Sequence, residues 1–172
     1  EVLKQEILSD APIGVFDSGL GGLTVVRELR RQLPNERVIY FGDIARLPYG
    51  IKSKRQIIDF SRENTEFLIH LGIKALVIAC NSSASAASAI LKKEFPLPVL
   101  DVIQPAAKEG ARTTSSKRIG VIGTQATISS GSYVRILLLL DSSIRVSVQA
   151  CPLFVPLVEE GWFNRKVTVA IA

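Results

Sequence analysis

The sequence predicts an α/β fold of open, mostly parallel sheets with flanking helices. Three observations predict it. Short apolar runs alternate with helix-period segments along almost the whole chain, as in successive βαβ units. The runs are apolar at consecutive rather than alternate positions, the pattern of strands covered by helices on both faces. Turn formers and helix stops, such as Asp17-Ser18-Gly19, Pro34-Asn35, Gly72 and Pro96, fall between the runs.

Residues 13–16 form the first apolar run, and the helical stretch from Leu23 to Gln32 ends before Pro34-Asn35. Residues 37–41 are the second strand, followed by a loop containing Pro48-Tyr49-Gly50. Over 54–71, Ile57, Phe60, Phe67, Leu68 and Leu71 recur near helical spacing, which predicts an amphipathic helix stopped by Gly72. Residues 74–79 read as a third buried strand. Cys80-Asn81-Ser82-Ser83 then leads into an alanine-rich helix that stops before Pro96. The rhythm restarts after Pro98 with strand 99–103, helix 105–112, strand 118–122, helix 130–140 and strand 144–149. The prolines within 94–98 mark the expected boundary between a first α/β unit, 11–97, and a second, 98–172.

A chain of 172 residues is long enough for one good α/β domain, or for one domain and part of another. Hydrophobic residues make up 47% and charged residues 22%, ordinary for a packed soluble core. The apolar runs at 75–80, 135–140 and 152–158 are far shorter than the roughly 20 residues a membrane span needs, so no membrane association is expected. Residues 1–10 mix charge with apolar residues and lack the core of a secretion signal, which makes the cytoplasm the expected location. The net charge of +5 is spread thinly, its densest clusters being Lys52, Lys54 and Arg55, and Lys92 and Lys93. Without a basic run interleaved with aromatics, no nucleic-acid partner is expected. Cys80 and Cys151 lie far apart without metal-ligand spacing, so they read as free thiols and no metal is expected.

In open α/β sheets ligands lie outside the carboxyl ends of the strands. Those ends carry Asp17 and Ser18, Gly42 and Asp43, Cys80, Asn81 and Ser82, and in the second unit Gly123, Thr124 and Thr127. Cys80 directly precedes a helix, where unpaired N–H groups favour a thiolate and can hold a carboxylate. It is equally suited to closing a core strand as a small buried residue. Asp17 reads either as a turn or capping aspartate, or as an acid beside the thiol on the neighbouring strand. Gly19-Leu20-Gly21-Gly22 raises a nucleotide alternative, with Asp43 in the ribose-binding place. The dinucleotide fingerprint fails because its sixth position is Thr24, and a Walker A lysine is lacking. His70 reads as structural or surface-exposed, Tyr49 as a turn residue or a lid group, and Trp162 and Phe163 as cover for apolar surface. Cys151 has no acid, base or second ligand beside it in sequence.

Residues 13–25, Ile-Gly-Val-Phe-Asp-Ser-Gly-Leu-Gly-Gly-Leu-Thr-Val, resemble the opening motif of bacterial glutamate racemases. So do Tyr40-Phe41-Gly42-Asp43 with Pro48-Tyr49-Gly50, and Val77-Ile78-Ala79-Cys80-Asn81-Ser82. Residues 119–127 and 149–159 fit as well, and the motifs run in register from about residue 12 to about residue 162. The resemblance implies two similar α/β domains, the second incomplete here and the first lacking a segment that returns from the C-terminus. It implies interconversion of L- and D-glutamate for peptidoglycan, and so for cell wall and cell shape, without metal, flavin or pyridoxal phosphate. It implies that Cys80 is one of two thiols that exchange the substrate's α-proton from opposite faces. Asp17, Ser18, Tyr49, Gly50, Asn81 and Ser82 match positions that hold or activate glutamate, and Thr124 a second-domain position near the cleft. A homodimer is also implied, since the family is often dimeric.

The chain departs from the family's pattern in places. Ser82 stands where threonine is usual, and 137–140 and 142–148 match poorly. The second catalytic cysteine belongs to a Cys-Thr-His-Tyr-Pro-like motif that these 172 residues do not contain, and Cys151 matches a different motif. The expectation is a truncated racemase with little turnover of its own. A glutamate-binding or interaction protein that lost turnover, and an aspartate racemase, are the alternatives.

Overall fold

In the computed structural model, which describes residues 10–162 and 164–171, the first apolar run becomes β1 (Ile13–Asp17), buried along its whole length. The expectations resting on residues 1–9 and on Phe163 lie outside the described residues. β1 sits between β2 (Val38–Gly42) and β3 (Ala75–Ile78), and β4 (Val99–Asp101) pairs with β3. Every pairing is parallel, giving the order β2-β1-β3-β4. The register sets Phe16 opposite Phe41 on one side and Ile78 on the other.

Strand alternation then divides the side chains between two faces. Ile13, Val15 and Ala79 cluster with Val25, Val26 and Leu29 of α1 (Leu23–Gln32). Phe16, Leu76 and Ile78 face Leu68 of α2 (Lys54–His70), and Ala84, Ala87 and Leu91 of α3 (Asn81–Glu94). The alanines of α3 let that helix lie close against both the sheet and α2. A capping box opens α2: Gln56 N–H donates to Ser53 Oγ at 3.2 Å and Ser53 N–H to Gln56 Oε1 at 3.1 Å. Gly72, at φ +76, closes the same helix in the left-handed conformation that glycine adopts without strain.

Two expectations about the second half are corrected. The strand after Pro98 does not open the second sheet. It ends at Asp101 and completes the first, because α3 crosses over β3 and returns the chain parallel at its free edge, Leu76 opposite Val99. The helix expected over 130–140 begins later, as α6 (Ser132–Leu140), and an unexpected short helix, α5 (Gln125–Ser129), precedes it, the two parted by Gly131 at φ +65. Between them and β4 lie α4 (Ile103–Thr113) and β5 (Arg118–Gly123). β5 pairs in parallel with β6 (Arg145–Ala150) as a separate two-stranded sheet, which leaves Ile122 and Val148 exposed. Two short helices follow, α7 (Phe154–Glu159) and α8 (Lys166–Ile171). Among the described residues no helix is long and apolar enough to cross a membrane.

Leu91 is fully buried where α3 meets the sheet. Leu91→Ala is expected to lower the unfolding free energy by about 2–5 kcal/mol, measured by urea denaturation followed by circular dichroism.

Candidate active site

The strand ends converge. A cavity of about 490 Å³ lies between the carboxyl edge of the first sheet and the second unit, and Asp17, Ser18, Tyr49, Gly50, Cys80, Asn81, Ser82 and Thr124 all line it. The eight residues that the resemblance assigns to the site therefore reach one space.

Asp17 ends β1 and is buried, and its Oδ2 accepts the N–H of Gly19 at 3.3 Å and of Gly22 at 2.9 Å. Both readings of this residue hold at once: it caps the turn into α1 and also lines the cavity beside the thiol. The same bonds remove the nucleotide reading. The N–H groups of Gly19 and Gly22 point at an internal carboxylate, and Leu20 N–H donates to Glu159 Oε1 at 3.4 Å. A phosphate approaching this loop would meet two acids.

Cys80 follows β3, is 4% exposed, and is itself the N-cap of α3. Its Sγ accepts the Ser83 N–H at 3.5 Å and donates to Ser18 Oγ at 3.4 Å. Burial pushes the thiol's pKa up and the Asp17 carboxylate adds to this, against the opposing bonds from Ser18 and Ser83. The sequence expectation that the helix start favours a thiolate is corrected on this point. Desolvation and a like charge outweigh the helix N–H groups, and the resting group is a neutral thiol.

Tyr49 is neither a loose turn residue nor a mobile lid. It opens the 3-10 turn Tyr49–Ile51 with its ring 1% exposed. The hydroxyl donates to Asp43 and accepts from Asn64 Nδ2 at 3.1 Å. Burial first, then the Asp43 carboxylate, raises the phenol's pKa, so it remains a donor. Arg46 completes the set: its Nε donates to Asp43 Oδ2 at 2.7 Å, its Nη2 to Asn64 Oδ1 at 2.9 Å, and its guanidinium lies 4.3 Å over the Phe60 ring. This network fixes the next residue, Gly50, where an added Cβ would sit 2.5 Å from Thr124 Cβ. Thr124 in turn caps α5 by accepting the Thr127 N–H, and its hydroxyl meets Ser82 Oγ at 2.9 Å. The serine at the family's usual threonine position thus keeps the polar link between the units.

Residues 13–171 match the family described as Asp/Glu/Hydantoin racemase. The chain belongs to that racemase family. A glutamate racemase of Syntrophus aciditrophicus (strain SB) is 50% identical over 157 residues, which are 91% of this chain and 58% of that protein. The solved glutamate racemase of Francisella tularensis subsp. tularensis SCHU S4, in complex with D-glutamate, has a TM-score of 0.87 at 41% identity, over 94% of this chain and 61% of that one. The solved RacE1 isoform of Bacillus anthracis glutamate racemase has a TM-score of 0.85 at 44% identity, over 93% and 59%. The chain spans about three-fifths of the length of these relatives. The family match also runs past residue 162, through the closing segment in which the motifs had faded.

Among the residues of this racemase-family chain that line the cavity without having been singled out as site residues are Cys151, Glu159 and Tyr133. Cys151 follows β6 directly, so the strand-end rule that found Cys80 would have found it too. Glu159 ends α7 and reaches across to the glycine loop. Tyr133, on α6, donates from its hydroxyl to Asn81 Oδ1 at 2.8 Å. No local pattern announces the last two, because each acts across the gap between units. His70 stays outside, exposed at the end of α2 with Nδ1 2.7 Å from Glu66 O. Among the described residues no three His, Cys, Asp or Glu side chains form a group able to hold a metal.

Two measurements test this description. Tyr49→Phe removes the hydroxyl shared by Asp43 and Asn64, leaving Asn64 Nδ2 without its acceptor, and is expected to cost about 1–3 kcal/mol, read from the thermal or urea midpoint with an unchanged far-ultraviolet spectrum. Asp17→Asn keeps an acceptor for Gly22 but removes the charge that disfavours the Cys80 thiolate. Its pH profile of Cys80 alkylation by iodoacetamide, followed by mass spectrometry, is expected to move to lower pH; an unmoved profile would show that burial acts alone.

Proposed function

We propose that the intact protein is a glutamate racemase that interconverts L- and D-glutamate by cofactor-independent α-proton transfer. The observation that carries the reading is the Cys80 thiol, set among Asp17, Ser18, Asn81, Ser82 and Thr124 in a cavity between two α/β units. The D-glutamate complex of the Francisella relative supports glutamate as the ligand.

An α-proton is weakly acidic, so its removal needs donors at the carboxylate and exclusion of water around the developing carbanion. The helix start at Asn81-Ser82, the Ser18 and Thr124 hydroxyls and the tight Gly50 turn supply the first. A cavity walled by both units supplies the second. Asp17 gives the substrate ammonium a counter-charge. Pairing with that ammonium removes one of the two causes that hold Cys80 protonated, so substrate binding itself readies the thiolate. Cys80 then takes the α-proton from one face, and a second thiol returns a proton to the other. The second thiol belongs to the family's Cys-Thr-His motif, outside these 172 residues. D-Glutamate supply for peptidoglycan, a cytoplasmic location and a homodimer belong to the same reading.

Deuterium exchange tests it. In D₂O, the 172-residue chain is expected to wash out the α-proton of one glutamate enantiomer slowly, to leave optical rotation nearly unchanged, and to lose exchange in Cys80→Ser. Rapid racemisation by this chain would overturn the single-thiol reading. Glutamate binding without exchange would point to a binding protein, and faster exchange of aspartate to an aspartate racemase.

A further inference from the structure

Asn81 is the first residue of α3, next to Cys80, and its side chain lines the cavity. A carboxamide presents an acceptor at one end and donors at the other, and nothing in its shape decides which end faces a ligand. Here the second unit decides. The Tyr133 hydroxyl donates to Asn81 Oδ1 at 2.8 Å, while Nδ2 has no partner among the described residues. The Tyr133 ring packs, with Ile136, against the core cluster of the first unit, which aims the hydroxyl at α3. Ser132, one residue earlier, anchors the same helix end by donating from Oγ to Ser85 O at 3.4 Å. Burial and the Asp101 carboxylate both raise the phenol's pKa, so it keeps its proton and remains the donor.

We propose that Tyr133 is a positioning residue that turns the Asn81 carboxamide nitrogen toward the cavity, making Asn81 a donor that selects a carboxylate over a carboxamide. The selection rests on the racemase reading, because it requires that glutamate occupy this space. The orientation rests on the Tyr133–Asn81 contact alone. A neutral amide can turn its single oxygen to Nδ2, but its N–H₂ then meets the N–H groups at the start of α3, whereas a carboxylate offers an acceptor to both. Without the tyrosine hydroxyl the carboxamide turns freely and accommodates either.

The test uses the whole 172-residue chain and Tyr133→Phe, which keeps the ring and its packing. Calorimetric titration is carried out with glutamate, glutamine and glutamic acid α-amide, so that either substrate carboxylate is covered. Tyr133→Phe is expected to bind glutamate about tenfold more weakly, and one of the two amides less than about twofold more weakly, the scale of a single charge-assisted hydrogen bond. An equal loss for all three ligands, or no loss, overturns the proposal. In the ligand-free proteins, the Asn81 side-chain ¹³Cγ resonance, assigned with Asn81→Ser, is expected to move upfield in Tyr133→Phe as its oxygen loses a donor. An unmoved resonance also overturns the proposal. If neither protein binds glutamate, the racemase reading and the selection fail together, and the resonance decides the orientation by itself.

Discussion

The Asp17 carboxylate sits at the end of the central strand, and the site on both sides of it depends on how its charge is shared. One oxygen takes the N–H groups of Gly19 and Gly22 and so folds the chain back into α1. The turn is tight enough that a Cβ at Gly22 would lie 2.7 Å from Asp17 Cβ and 3.0 Å from Ala79 Cβ, which is why glycine stands there. That closeness draws β1, α1 and the end of β3 together and brings Cys80 against Ser18. The charge that builds the turn also works against ionisation of the thiol. Structure and reactivity at this strand end therefore share one group, the first through its oxygen as an acceptor and the second through its charge.

The same economy governs the polar groups in and behind the cavity wall. Buried polar groups need partners, and here they find them mostly in one another: Tyr49 with Asp43 and Asn64, Ser82 with Thr124, Asn81 with Tyr133. The Tyr49 set is the most rigid, since Arg46 ties its acid and its amide together and stacks on Phe60. It holds Gly50 against Thr124 with no room for a side chain between them.

The fold class and the convergence of the strand-end residues Asp17, Cys80 and Thr124 on one cavity were legible in the sequence, and for the same physical reason. Consecutive apolar residues mark covered parallel strands, and the first polar residue after each marks the edge where ligands gather. That rule located Asp17, Cys80 and Thr124, and applied to β6 it also reaches Cys151. Sequence did not show which sheet β4 joins, because strand 99–101 is apolar enough for either and only the crossover of α3 decides it. Nor did it show the charge state of Cys80. A helix start argues for a thiolate, but burial and the distance to Asp17 are tertiary quantities. Tyr133 and Glu159 escaped notice because their partners, Asn81 and Leu20, lie on the other unit, 52 and 139 residues away.

Those cross-unit contacts have an energetic consequence. The first unit is held by an apolar core in which Phe16, Leu76, Ile78 and Leu91 are fully buried. Around the cavity the units meet through apolar contacts of Tyr133, Ile136 and Ala126 and through polar pairs: Ser82 with Thr124, Ser132 with Ser85, Tyr133 with Asn81, Glu159 with Leu20. A neutral hydrogen bond contributes only about 0.5–1.5 kcal/mol net, because water replaces it when it breaks. Parting the units therefore breaks apolar as well as polar contacts, and only the polar ones are re-formed with solvent. A ligand with charges at both ends changes that balance. On the proposed racemase reading, glutamate engages Asp17 and Asn81 on one wall and Thr124 on the other, adding charge-assisted bonds that water matches poorly in a confined space. On that reading the contacts that orient the ligand also tie the two cavity walls together.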